Sequence, residues 1–280
     1  MRIREIIYES LKLPFSEYKS FVFVFILILS CEIISKIFYY FHIGSFYLFL
    51  ILLRSIITLI LMGISLNIVE YCIFNNSLHL NIKQHLFGAI KEYIITLYYL
   101  IIPTLISVFF MIPTGLYSKL MHIHEYILKM DLDTTTLTIN EISKQLPHTL
   151  HMGLQHSLQL NILIAIIFFV LFTSFSFISK ILLIKYNSVK IALDIRIIIK
   201  IIINIGFKRF MKFILLITLL LIVLVNVLVL LEMFLSDVLL SAFFESFLLF
   251  FATNAFYKLY LEYDTKVIMK AKRDTTSYYR

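Results

Sequence analysis

The feature that most constrains this chain is a change of character between residues 190 and 231 that no turn signal marks. Residues 190–211 are rich in isoleucine but carry, with the adjoining Lys212, the polar residues Lys190, Asp194, Arg196, Lys200, Asn204 and Lys208, whereas 213–231 carries no charge at all. The first part cannot cross a bilayer, because ionised side chains at every second to sixth position are too costly in hydrocarbon. On a 3.6-residue helix its polar residues fall within an arc of about 160°, with Arg209 outside it. The pattern predicts a helix lying in the membrane surface, basic stripe toward the headgroups, that hands over to a spanning helix.

The same arrangement occurs twice more upstream. Residues 1–13 place Arg2, Glu5, Glu9 and Lys12 on one helical face and Ile3, Ile6, Ile7 and Leu11 toward the other, with Pro14 expected to end the helix. Residues 81–92 set Asn81, Gln84, His85, Gly88 and Lys91 against Ile82, Leu86, Ile90 and Tyr93. Apolar stretches follow at 21–41, 46–74, 93–112, 158–184, 213–231 and 238–260. Each is long enough to span. The first run is too long for a signal peptide, and no cleavage site of small residues follows it. The fold class expected is all-α and polytopic: six transmembrane helices plus three interfacial amphipathic helices, in a single membrane domain over 1–280.

Composition agrees with that class. A hydrophobic share of 61% against 15% charged is more than one soluble core of 280 residues could bury. Six Gly and four Pro are few for a transporter built on broken helices. A net charge of +8 would suggest nucleic acid in a soluble chain. Here the cations flank apolar spans, so the partner expected is anionic lipid and not nucleic acid. Twenty of the 25 Lys and Arg fall on one side of the six spans, Lys36, Lys119, Lys129 and Lys144 on the other, and Arg54 inside. The positive-inside rule then puts both termini in the cytoplasm of a plasma-membrane protein and residues 113–157 outside. Cys31 and Cys72 lie toward opposite faces in this topology, which argues against a disulfide.

Each handover from basic segment to span has a similar triplet: Lys19-Ser20-Phe21, Lys91-Glu92-Tyr93 and Lys208-Arg209-Phe210. The first two lie 72 residues apart and the next two 117, and the difference of 45 equals the length of 113–157. This predicts a threefold internal repeat: unit one 1–74, unit two 75–184 with an external insertion at 113–157, unit three 185–260, and a basic tail at 261–280 expected to fray. Within the insertion the pattern predicts a helix over 116–130, a polar break at 131–136, and a capping box from Thr138 to Glu141.

Candidate chemistry is sparse. His122, His124, His148, His151 and His156 sit in or beside the insertion, but only His148 and His151 share a helix face, so neither a metal nor a cofactor is expected. No phosphate loop, dinucleotide fingerprint or hydrolase elbow occurs, and an enzyme is not expected. Charges inside the spans are the sharper signal. Arg54 and Glu245 each lie nine residues past an outer turn, roughly 13 Å deep, and are expected to contact each other as a binding or packing site. Glu32 and Lys36, at i,i+4, are expected to pair. Lys190, Arg196, Lys200, Lys208, Arg209 and Lys212 are the expected headgroup contacts.

The run Leu13-Pro14-Phe15-Ser16-Glu17-Tyr18-Lys19 before the first span resembles the start of an archaeal membrane family, domain of unknown function 4013. Tyr99-Leu100-Ile101-Ile102-Pro103, and Ile195-Arg196 leading through Ile205-Gly206-Phe207, are similar to it as well. The chain departs from the family pattern at Tyr18 and Phe207, where a Trp is usual. The resemblance implies a multi-span membrane protein and brings no activity, cofactor or catalytic residue. The function expected is a non-enzymatic membrane component that engages anionic lipid, or a protein partner or second copy, through its basic cytoplasmic face. The alternative is a small transporter or channel with a site between the units near Arg54 and Glu245.

Overall fold

The computed structural model describes residues 2–40, 45–74, 82–129, 148–233 and 235–277. They form helices α1 (Ile3–Ser16), α2 (Tyr18–Tyr40), α3 (Ser45–Phe74), α4 (Ile82–Phe110), α5 (Leu116–Lys129), α6 (His148–Tyr186), α7 (Val189–Leu193), α8 (Ile195–Ile205), α9 (Phe207–Leu231) and α10 (Asp237–Ser277). No strand occurs among the described residues. Six helices contain stretches long and apolar enough to cross a membrane: Tyr18–Ile37, Phe49–Phe74, Phe87–Phe110, Leu150–Tyr186, Phe207–Leu231 and Asp237–Asp264. The protein is therefore an all-helical, multi-pass membrane protein. It divides into two compact units, Met1–Leu97 with Ser174–Arg280, and Tyr98–Thr173, whose boundaries fall inside α4 and α6.

The larger unit is built on α10. Half of its apolar stretch is buried, against 11% for α9. Ala242, Ser246, Thr253 and Ala255 are all buried, and their small side chains let α2 and α3 approach closely. Leu13, Val24, Ile28, Ile64, Ile68, Ala242 and Phe250 form one core cluster from α1, α2, α3 and α10. Phe21 meets Phe243 and Phe250 edge-on, with ring centroids 5.6 and 5.9 Å apart. α1 packs along α10 through Ile6, Ser10 and Leu13. α8 packs Ile198, Ile201, Ile202 and Ile205 against α9 and α10.

In the smaller unit α5 lies beside the start of α6. The Lys119 ammonium donates to the Gly153 carbonyl at 2.5 Å and to Ser157 Oγ at 2.7 Å. A Cβ at position 153 would come within 3.3 Å of the end of the Lys119 side chain, which would have to shift by a few tenths of an ångström. Asn161 donates to the Ser107 carbonyl at 3.3 Å, and Phe110 packs on Phe168.

Several expectations need correction. Residues 190–211 do not form one helix with one basic stripe. Asp194 ends α7 and caps α8, its carboxylate accepting from Arg196 N at 2.9 Å, and Gly206 at φ 106° separates α8 from α9. That dihedral strains any residue with a Cβ. The stripe is thereby divided, with Lys190, Arg196 and Lys200 on α7 and α8 and Lys208 and Lys212 on α9. Residues 82–92 run into the third span as a single helix, α4, with no break at the Lys91-Glu92-Tyr93 triplet. Pro14 does not end α1, which continues to Ser16. Its missing N–H costs one hydrogen bond in a last turn that the chain leaves at Glu17 anyway. The tail does not fray at 261, since α10 continues to Ser277. The break and capping box at 131–141 lie outside the described residues.

Candidate functional site

Three polar constellations stand out in the larger unit. The first is a cleft of about 810 Å³ lined by Arg2, Ile3, Arg4, Lys208, Arg209, Lys212 and Leu216. α1 and the start of α9, about 200 residues apart in sequence, meet here because α1 packs on α10 while α9 packs on α8, which itself lies against α10. Ion pairs fix the surroundings. Lys258 of α10 binds Glu9 of α1, Arg209 binds Glu262 at 2.6 Å, and Lys185 of α6 binds Asp264 at 2.5 Å. The guanidinium of Arg209 is thus already engaged, whereas Arg2, Arg4, Lys208 and Lys212 are exposed. Of the six headgroup candidates, Lys190, Arg196, Lys200, Lys208 and Lys212 are exposed, and only the last two join this cleft with Arg209. Arg2 and Arg4 were not marked as candidates in the sequence. The cleft depends on the pairing of distant elements, and the local pattern of α1 carries no sign of it.

The second constellation surrounds Arg54 on α3. A groove of about 710 Å³ is lined by Ile51, Arg54, Ser55, Thr58, Leu59, Met62 and Tyr93. Arg54 and Glu245 are both exposed, and Glu245 lies within electrostatic reach of Glu32 and Arg54. The depth argument thus brings the right elements together, but no ion pair within 4.0 Å joins Arg54 to Glu245. Glu32 does not pair with Lys36 either. The Lys36 ammonium lies 2.6 and 2.7 Å from the two carboxylate oxygens of Asp237, joining the outer end of α2 to the start of α10. An i,i+4 pair within one helix is worth a few tenths of a kcal/mol, so a bidentate partner on the neighbouring helix readily displaces it.

The third constellation is buried and unanticipated. Glu92 of α4, 2% exposed, pairs with Lys180 of α6, 13% exposed. Ser65 of α3 donates to the same Glu92 oxygen, Oε1, at 2.7 Å, and Lys180 Nζ lies 3.3 Å from Ser65 Oγ. Glu92 Oε2 is buried without a hydrogen-bond partner, as is Thr96 Oγ1 one turn further along α4. Three helices are tied at one point. The signal was available: Ala89, Glu92, Ile95 and Tyr99 are all buried and recur at the three- and four-residue spacing of one helix face. Splitting the helix between a surface segment and a span at Glu92 hid it.

Among the described residues the histidines do not converge. His122, His151 and His156 are exposed, and His122 Nδ1 lies 4.0 Å from Glu125. No three His, Cys, Asp or Glu converge among the described residues. Cys31 and Cys72 are free thiols. Comparison with known proteins finds no matching family model, curated protein or solved structure.

Proposed function

We propose that this protein is a non-enzymatic membrane component that seats anionic lipid at the cleft between α1 and α9. One observation carries the reading: four exposed cations and the paired Arg209, from α1 and α9, line a single cleft whose remaining walls, Ile3 and Leu216, are apolar. Cations above apolar walls match a phosphate headgroup above its acyl chains. The reading includes the finer topology argued from charge: both termini on the cytoplasmic side of the plasma membrane, and α7 and α8 lying at that surface. The threefold repeat and membership of the archaeal family rest on the quoted sequence motifs alone, and we hold both as proposals.

Each Lys or Arg at an anionic surface contributes on the order of 1 kcal/mol. Replacing Arg2, Arg4, Lys208 and Lys212 by Gln should therefore weaken retention of anionic lipid by roughly a thousandfold at the additive limit. Mass spectrometry of the intact protein released from mixed-lipid nanodiscs measures this. Anionic lipid retained in preference to neutral lipid by the native chain, and lost in the quadruple variant, is the expected result. Equal retention by both proteins contradicts it.

A second reading, passage of a small solute, is favoured by the groove lined by Arg54 within the span Phe49–Phe74. Uptake of labelled solutes into vesicles containing the purified protein tests it, and no uptake above that of protein-free vesicles counts against it.

A further inference from the structure

We infer that the basic cleft continues into a second, apolar pocket, and that one anionic phospholipid occupies both, its phosphate in the cleft and an acyl chain in the pocket. The inference rests on the lipid reading of the cleft proposed above and adds to it the place of the chain.

The second pocket has a volume of about 530 Å³ and is lined by apolar residues alone, among them Phe15 of α1, Phe25 of α2, Leu224 and Leu228 of α9, and Phe243 and Phe247 of α10. Apart from Phe15 these residues belong to the apolar spans Tyr18–Ile37, Phe207–Leu231 and Asp237–Asp264, so the pocket opens on hydrocarbon. The same two helices, α1 and α9, wall both pockets. Their starts face each other across the cleft through Arg2, Arg4, Lys208 and Lys212, and the end of α1 faces the second half of α9 across the pocket. The two helices therefore run in the same direction on either side of a furrow. The furrow stays open because α1 packs chiefly on α10 and α9 chiefly on α8.

Each wall carries side chains in the same order. On α1, Arg4, Tyr8, Leu11 and Phe15 recur at four- and three-residue spacing and share a face. On α9, Lys212, Leu216, Leu219, Val223 and Val227 do the same. A cation at the cleft gives way to apolar or aromatic side chains, of which Tyr8, Phe15, Leu216, Leu219, Val223 and Val227 are exposed. Arg4 and Phe15 lie eleven residues apart, about 16 Å of helix. Leu216 and Leu224 lie eight apart, about 12 Å. Each leaflet of a bilayer holds its chains in roughly 15 Å, half of a core about 30 Å thick. One chain hung from a phosphate in the cleft therefore reaches the pocket.

Neither pocket selects this lipid alone. Every phospholipid chain is apolar, and moving one from bilayer to pocket gains van der Waals contact only. The cleft reads charge and cannot place a chain. A phosphate held in the cleft keeps its own chain at the furrow and raises the effective concentration of that chain at the pocket. Joined, the two pockets discriminate by charge at the head and hold the tail in one place.

The test is photolabelling of the full chain in nanodiscs of neutral lipid. The nanodiscs carry a small, equal fraction of phosphatidylglycerol or phosphatidylcholine with a photoreactive group near the end of one chain, and labelled residues are mapped by mass spectrometry. The anionic probe should label the pocket, at Leu228 and Phe247, on the order of tenfold more than the neutral probe does. Both should label Ile162 and Ile166, exposed on α6, equally. Combining Arg4→Gln, Lys208→Gln and Lys212→Gln should bring the anionic probe down to the neutral level. Val227→Trp, which fills the pocket, should lower labelling there by a similar factor, whereas Val229→Trp, exposed on α9 outside the pocket, should not. If Val227→Trp fails to fold, the two probes on the native chain still decide. Equal labelling of the pocket by both probes overturns the inference. A third probe, phosphatidylglycerol with its reactive group on the headgroup, separates the two failures. If it marks the cleft while the chain probes do not differ at the pocket, the chain's place is wrong and the lipid reading of the cleft stands. If it does not favour the cleft, both fall together.

Discussion

The buried pair between Glu92 and Lys180 gives the sharpest energetic prediction. Replacing Glu92 by Leu leaves the Lys180 ammonium with its partner gone in a setting where only 13% of it reaches the surface. Removing one member of such a pair costs about 3–5 kcal/mol, because the remaining charge is buried without compensation. Ser65 Oγ also loses its acceptor, but as a serine in α3 it can turn to its own helix backbone, so that contribution stays below about 1 kcal/mol. Lys180→Leu should cost a similar amount, with the Glu92 carboxylate then held by Ser65 alone. The double replacement leaves no buried charge and three apolar-compatible helix faces, so it should lie within about 2 kcal/mol of the native protein. The coupling between the two sites is then at least about 3 kcal/mol. Unfolding in mixed micelles with increasing denaturing detergent measures all four proteins. If the two single losses add in the double variant to within about 0.5 kcal/mol, the pair is not coupled and the reasoning is refuted.

Other predictions follow from the same packing. Asp237→Asn breaks the bidentate contact with Lys36, but that contact is solvent-exposed on both sides, so the melting temperature should barely change and any shift should vanish in high salt. Gly206→Ala should cost more than about 1 kcal/mol, because φ at 106° strains a residue with a Cβ, and a variant as stable as the native chain would place the helix break elsewhere. On α8, Ile198→Ala and Ile202→Ala should each cost about 2–5 kcal/mol, whereas Ile199→Ala and Ile203→Ala should cost well under that, because the first two are buried and the second two exposed.

Much of the fold was legible because the bilayer imposes a length on every span. The extent of α3, Ser45–Phe74, follows directly from the apolar run at 46–74. The breaks in the basic segment were written in Asp194 and Gly206, but continuous isoleucine periodicity outweighed them. The sites were less legible, since each depends on which helices meet. Lys36 chose Asp237 over Glu32, about 200 residues nearer in sequence, and no local rule predicts that choice. Arg2 and Arg4 became part of the basic cleft through α1 packing on α10. Glu92 looked like one member of a basic-aromatic anchor; its spacing with Ala89, Ile95 and Tyr99 marks an inward face, but its partner Lys180 is set by the position of α6. Arg54 marks itself as a lone arginine in an apolar run, but the ion pair expected with Glu245 does not form; the groove beside it is lined by α3 and Tyr93 instead.

The central claim is that the cleft between α1 and α9 seats anionic lipid, and one fluorescence measurement addresses it directly. The chain contains no Trp, so Leu216→Trp introduces a single reporter at the wall of the cleft. In vesicles, brominated lipid quenches a Trp only when its chains lie against it. The account predicts that brominated anionic lipid at low mole fraction quenches this Trp in a saturable way. Brominated neutral lipid at the same fraction should quench in proportion to its amount alone. Adding Arg4→Gln, Lys208→Gln and Lys212→Gln should remove the difference. Equal quenching by anionic and neutral lipid in the native cleft contradicts the account.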